Sequence, residues 1–309
     1  MRIVSLLPSA TEIVCAIGLG DRLVGVSHEC DHPPGVRSLP RLTRSLLAAE
    51  ATSAGIDAAV RTRLQERQPL YALDADLLER LRPDLVVTQA LCDVCAVAEA
   101  DVAAVACRLP GAPRVINLEP TRLADVLDAL VVVAGAAGVP GAGAAARERL
   151  AARIDAVAER TRRIGRRKRV MVLEWIDPPF TAGHWSPELV ALAGGEEVLG
   201  VAGEKSRVCA WEEVVAADPE VLVVALCGFD AARSRLDLPI LARMPGYDDL
   251  ACVRAGEVFL VDGNAFFSRP GPRLIDALEI VAHTLHPAIH PLPSGLQAAE
   301  RVATPRSRR

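Results

Sequence analysis

Cys92 and Cys95 form a Cys-x-x-Cys pair in the run Cys92-Asp93-Val94-Cys95, and His28-Glu29-Cys30-Asp31-His32 gathers a second set of groups able to hold a metal or a proton. Two thiols at that spacing near a helix start can ligate a metal, cycle between dithiol and disulfide, or simply brace a turn. The pair alone specifies neither zinc nor a redox enzyme. His28 and Cys30 could complete a soft site beside Cys92 and Cys95, because thiolate and imidazole suit zinc, copper or cobalt better than calcium. Equally, His28 and Asp31 could be turn residues that bond local backbone ahead of Pro33-Pro34. Cys15 and Cys107 sit in Ala-rich helical stretches, where cysteine packs as a small core residue. Cys227 follows an apolar run and Cys209 precedes Trp211 in a loop.

Aromatic residues are scarce, at 3% of the chain, yet Trp175, Trp185 and Trp211 all fall in the second half at strand ends or in loops. Tyr71 is their counterpart in the first half, and Phe229 and Phe266 complete a candidate ligand-binding set. Aromatic faces hold large flat ligands through apolar area and defined geometry. The same rings could instead plug the core. Ser9 and Glu12 match a capping box at a helix start. His283, His286 and His290 lie around Pro287, which interrupts any shared helix face and points to a surface role.

These groups must be carried by something, and the chain alternates short β-branched runs with Ala/Leu-rich helical stretches. Strands are expected at 3–7, 23–27, 85–89, 115–118, 169–175, 221–226 and 258–261, and one long helix over 141–164. The alternation predicts an α/β fold of two Rossmann-like lobes with parallel sheets, joined by one helix, with a ligand cleft between the lobes. The lobes are expected at 1–138 and 167–290, the bridging helix at 139–166 and a disordered tail at 291–309. In open parallel sheets, ligands gather beyond the carboxyl ends of strands, which is where the His28 and Cys92 clusters and Trp175, Cys227 and Phe229 all fall. The basic run 160–169 reads as a solvated helix end favoured by the helix dipole.

Several function classes are excluded. No Gly-x-Gly-x-x-Gly or Gly-x-x-x-x-Gly-Lys-Ser/Thr occurs, so nucleotide binding has little support. The serine-hydrolase elbow is also missing, and no catalytic residue is expected. A net charge of −4 with mixed signs gives no electrostatic reason to bind nucleic acid. Membrane insertion is not expected, since no apolar run reaches the roughly 18 residues needed to span a bilayer. The first strand follows Met1 directly, without an export signal, which predicts a cytoplasmic location and reduced thiols.

The segments Ser5-Leu6-Leu7-Pro8-Ser9-Ala10-Thr11-Glu12, Leu81-Arg82-Pro83-Asp84-Leu85-Val86-Val87, Pro178-Pro179-Phe180-Thr181-Ala182-Gly183 and Phe267-Ser268-Arg269-Pro270-Gly271-Pro272-Arg273-Leu274 resemble the single-helix-bridged substrate-binding proteins of iron-siderophore, haem and cobalamin importers. Trp175 and the Pro-Pro-Phe-Thr-Ala-Gly segment are most similar to the cobalamin-binding branch, in an intracellular form. The resemblance implies non-catalytic binding of a corrinoid or related metal chelate, with Tyr71, Trp175 and Trp211 against the corrin ring. It also implies that Asp76 and Glu212 dock onto an ABC permease, if the protein is exported. Two alternatives stay open. One is an intracellular metal or thiol-redox protein using Cys92 and Cys95, with resident zinc or iron. The other is an importer component whose true start lies upstream, which would place it in the periplasm.

Overall fold

The computed structural model describes residues 1–47, 52–89, 102, 105–107, 109 and 111–303. Cys92 and Cys95 lie outside them. The chain divides into two compact units, one of Met1–Pro120 with Ala124–Leu150 and one of Thr121–Leu123 with Ala151–Arg309. Among the described residues, no helix is long and apolar enough to cross a membrane.

In the first unit, β1 (Ile3–Ser5), β2 (Leu23–Val26), β5 (Leu85–Gln89) and β6 (Arg114–Leu118) form a parallel sheet in the order β2-β1-β5-β6. β5 is buried at every position, as a central parallel strand covered on both faces must be. Val4, Leu6, Leu42, Leu78 and Val86 pack together against this sheet. The polar stretch between β2 and β5 folds into β3 (Thr43–Ser45), the helix Ser53–Gln65 and β4 (Tyr71–Leu73), with β3 and β4 antiparallel.

The capping box at Ser9 and Glu12 does not form. Pro8 occupies the first turn of the helix Pro8–Ala16, so the cap is Leu7 and Ser9 already lies inside. Proline suits that position because its missing N–H would have had no partner there. The Ser5 hydroxyl donates to the Leu7 carbonyl at 3.0 Å.

The second unit is built on β7 (Lys168–Trp175), β8 (Phe180–Thr181), β9 (Gly195–Glu197), β10 (Arg207–Val208), β11 (Val221–Val224), β12 (Val258–Leu260) and β13 (Glu300–Arg301). Its sheet runs β10-β8-β7-β11-β12-β13, with β9 also paired to β7. β9, β7, β11 and β12 are mutually parallel, whereas β8, β10 and β13 add antiparallel edges. Gly195 lets β9 approach, since a Cβ there would stand 2.8 to 2.9 Å from Val170, Val190 and Leu285. The long helix is Pro140–Thr161.

Three expectations about this half are corrected. Residues 300–301 of the supposed tail are a strand, because Leu260 and Phe259 offer an open edge and Glu300 pairs with Arg235. The basic run 160–169 is not simply solvated: Arg166 pairs with Glu220, Lys168 with Glu257, and Arg167 donates to the Ala191 and Gly195 carbonyls. His290 is interior at 1% exposure, held between Thr161 and Arg160, and its carbonyl accepts from or contacts the His283 ring at 2.9 Å.

Candidate functional site

Strand order defines where ligand-facing loops diverge. In the second unit the chain leaves β7 toward β9 on one side and returns through β11 on the other, so the carboxyl ends of β7 and β11 flank the reversal of strand order, the place where ligands gather in such sheets. Trp175 closes β7, and Phe229 lies in the turn after β11. Their rings meet at 4.9 Å between centroids with a 43° tilt, and both stay partly exposed. That is a favourable aromatic geometry. The indole N–H of Trp175 donates to the Asp177 carbonyl at 3.1 Å, which fixes the ring plane. Arg233 stacks its guanidinium 4.2 Å above the Phe229 centroid and pairs with Asp237 at 3.0 Å. Thus one aromatic platform sits at the switch point with a cation behind it.

Polar groups frame the platform. Glu174 precedes Trp175 and accepts a hydrogen bond from the Ser206 hydroxyl, whose oxygen in turn accepts the Gly183 N–H at 3.1 Å. The Gly228 N–H donates to Ser268 Oγ at 3.2 Å, tying the β11 turn to the segment after β12. Phe266 lies in that segment, partly exposed, with the Arg273 guanidinium 5.8 Å from its centroid. Gly263 permits the close approach, because a Cβ there would stand 2.2 Å from the Leu226 carbonyl oxygen.

Trp185 and Trp211 belong to the interior instead. Trp185 is 5% exposed and donates to the Phe267 carbonyl at 2.9 Å. Trp211, 8% exposed, donates to the Pro245 carbonyl at 2.7 Å and packs with Val214, Leu241 and Tyr247. A buried indole whose N–H is already satisfied has no face left for a ligand. Both rings brace the second unit.

In the first unit, His28 follows β2 and Tyr71 opens β4. Their rings lie 5.5 Å apart, tilted by 46°. Thr43 Oγ1 accepts the His28 backbone N–H at 3.0 Å and stands 2.7 Å from its Nδ1. Arg41 gathers the loop from beneath, donating to the Ser27 and Cys30 carbonyls at 2.8 and 2.6 Å. Burial, with Arg41 nearby, pushes the His28 pKa below its ordinary value, so the imidazole is neutral at pH 7.

Cys30 is not presented beside His28. It is 1% exposed, and its sulfur is 3.1 Å from Thr11 Oγ1, which also lies 2.8 Å from Ser5 Oγ. A thiol this enclosed is structural rather than open to a metal. Among the described residues, no group of three or more His, Cys, Asp or Glu side chains is gathered for a metal ion. Cys227 is half-buried beyond β11, while Cys107, expected in the core, is exposed. Asp76 and Glu212 are both exposed, each in the first turn of a short helix.

The fold is one of parallel α/β units with Trp175 and Phe229 at strand ends. Residues 3–265 match the family described as periplasmic binding protein. The chain belongs to that family. Its fold is similar to the periplasmic vitamin B12 binding protein BtuF of Vibrio cholerae, with a TM-score of 0.67 and 21% identity over 93% of this chain and 97% of that one. It is also similar to the periplasmic heme-binding protein RhuT from Roseiflexus sp. RS-1, with a TM-score of 0.70 and 25% identity over 93% and 98% of the two chains. A periplasmic heme binding protein from Pseudomonas aeruginosa gives a TM-score of 0.71 at 21% identity over 98% and 99%. In sequence, the Vitamin B12-binding protein of Vibrio cholerae serotype O1 is 56% identical over 41 residues. That match spans 13% of this chain and 15% of the relative.

Proposed function

We propose that the protein binds a flat metal chelate of the corrinoid class and does not transform it. The observation that carries this reading is the Trp175–Phe229 platform at the switch point between β7 and β11, partly exposed and held by the Trp175 N–H. Its support is threefold: the family match, the likeness to proteins named for vitamin B12 and heme binding, and a partly exposed aromatic pair at the strand ends. Phe266 extends the apolar contact. Asp76 and Glu212 are the proposed docking charges for an ABC permease, since both stand exposed on first helical turns.

Titration of the full chain with cobalamin and with ferric protoporphyrin IX, followed by absorption and calorimetry, tests the proposal. Saturable binding of cobalamin is expected, with a shift of its visible bands. Trp175→Ala should weaken it by about tenfold or more, because a stacked aromatic face contributes roughly 1–3 kcal/mol. Unchanged affinity in that variant would remove the platform from the binding surface.

A further inference from the structure

We infer that the outer edge of β12, in the second unit, is a self-complementary interface for a second copy of this chain, and that β13 covers it as a detachable cap. β12 is Val258-Phe259-Leu260, buried at every position, and lies between β11 and β13. With β13 lifted away it becomes an edge strand, whose free N–H and C=O groups accept another strand. The charges beside that edge select the partner. Glu257 stands at the amino end of β12, and Arg235 reaches its carboxyl end, where it pairs with Glu300 opposite Leu260. A twofold antiparallel pairing of two β12 strands sets the amino end of one against the carboxyl end of the other. Glu257 of each copy then faces Arg235 of the other, so the edge matches itself in charge.

β13 presents the pattern that a second β12 would. Running antiparallel to β12, it sets Glu300 beside Arg235 and brings Arg301 Nη2 to 3.0 Å from Glu257 Oε1. Glu300 stands where the other copy's Glu257 would, and Arg301 where its Arg235 would. Leu236, next in the chain to Arg235, is 70% exposed, the highest value of any large apolar side chain among the described residues. A second copy on this edge gives that side chain an apolar neighbour to meet.

The hold of the cap is small. Two residues pair with β12, the Val302 N–H donates to the Val258 carbonyl at 2.9 Å, and Arg301 donates to the Gly256 carbonyl at 2.8 Å with its guanidinium 5.0 Å from the Phe259 centroid. The Arg235 and Glu300 side chains are each 49% exposed, so water and salt screen their pairing. Glu257 keeps a second partner, Lys168, at 3.4 Å when Arg301 leaves. No residue from Pro291 to Ala303 is buried, and 291–299 form neither helix nor strand. Segments with so few buried contacts open at low free energy. The tether to His290 favours the cap while it is intact, because it keeps β13 at a high effective concentration beside β12.

The test releases the cap in the full chain with Glu300→Ala, Arg301→Ala, Val302→Pro, which removes both charges and the Val302 N–H. Sedimentation over a concentration series gives the dimer dissociation constant, and hydrogen exchange along 298–303 reports whether the cap is free. The wild type should sediment as a monomer with a protected cap; the variant should lose that protection and dimerise at least about tenfold more tightly. Val302→Pro alone leaves every charge in place and should shift both readouts the same way by less, which guards against a triple variant that misfolds. In the released background, Arg235→Glu and Glu257→Arg should each weaken the dimer by about tenfold, since like charges then face each other twice. Mixed together, those two should pair with each other, because every contact across the twofold is again of opposite sign. A released chain as monomeric as wild type, a mixture that pairs no better than its components, or growth into open-ended oligomers would refute the interface. Protection along 298–303 unchanged in the released variant would overturn the cap.

Discussion

Arg153 offers a sharp test of how the second unit is held together. Its Nη2 lies 2.6 Å from Asp276 Oδ1 and 2.5 Å from Glu279 Oε2, and its Nε lies 3.1 Å from Glu279 Oε1, so one guanidinium ties the helix Pro140–Thr161 to the helix Leu274–Leu285. Glu279 is the buried member, with 9% of its side chain exposed, against 20% for Asp276 and 37% for Arg153. Removing one partner of a fully buried pair costs about 3–5 kcal/mol, chiefly because the other charge is stranded. Water reaches Arg153 and screens the Asp276 limb, which brings Arg153→Met to about 2–3 kcal/mol. For a unit of this size, that lowers the melting temperature by about 5–10 °C. All three tryptophans lie in the second unit, so tryptophan fluorescence during urea or thermal unfolding reports that unit selectively. The triple variant Arg153→Met, Asp276→Asn, Glu279→Met should recover most of the loss, since no charge is then left stranded. A single variant within about 0.5 kcal/mol of wild type, or a triple variant as unstable as the single one, would refute the reasoning.

Two further outcomes are expected beside the ligand-binding effect of Trp175→Ala. Burial, with Arg160 and His286 close by, pushes the His290 pKa down to about 4. The unfolded chain therefore takes up the proton first; this contribution is fully present above about pH 6.5 and is lost as pH falls toward 4, by up to about 3 kcal/mol. His290→Gln should flatten that slope in urea midpoints measured from pH 4 to 8, and an unchanged slope would count against it. Gly263→Ala should destabilise the second unit by more than about 3 kcal/mol, because its Cβ would meet the Leu226 carbonyl at 2.2 Å and neither backbone can yield cheaply. A fluorescence midpoint equal to wild type would refute that close approach.

The sheets were legible because parallel strands buried on both faces leave unbroken apolar runs. Leu85–Gln89 falls where that pattern places it, and the strands at 23–26, 168–175 and 221–224 differ from expectation by a residue or two at their ends. β9, β10 and β13 carried no such signal. They are two or three residues long, partly charged, and exist because a neighbouring strand offers an unpaired edge. Glu300–Arg301 of the supposed tail pair with β12 for that reason.

Side-chain roles were less legible than the strands, and the tryptophans show why. Trp175 and Trp211 both follow or precede a turn, and nothing in their local sequence separates a platform from a plug. What separates them is the partner of the indole N–H. Trp175 bonds to Asp177 two residues away and stays at the strand end, whereas Trp211 reaches the Pro245 carbonyl and Trp185 the Phe267 carbonyl, 34 and 82 residues distant. A ring anchored by its own turn keeps its face outward, while one anchored across the fold is drawn into it. His28 and His290 divide in the same way. His28 is gripped from β3, fifteen residues on, and keeps an edge toward solvent; His290 is held by Thr161 and Arg160 from the far side of the second unit and is buried. For these aromatic and histidine rings, what holds the side chain is a partner set by the fold, and no window of sequence contains that partner.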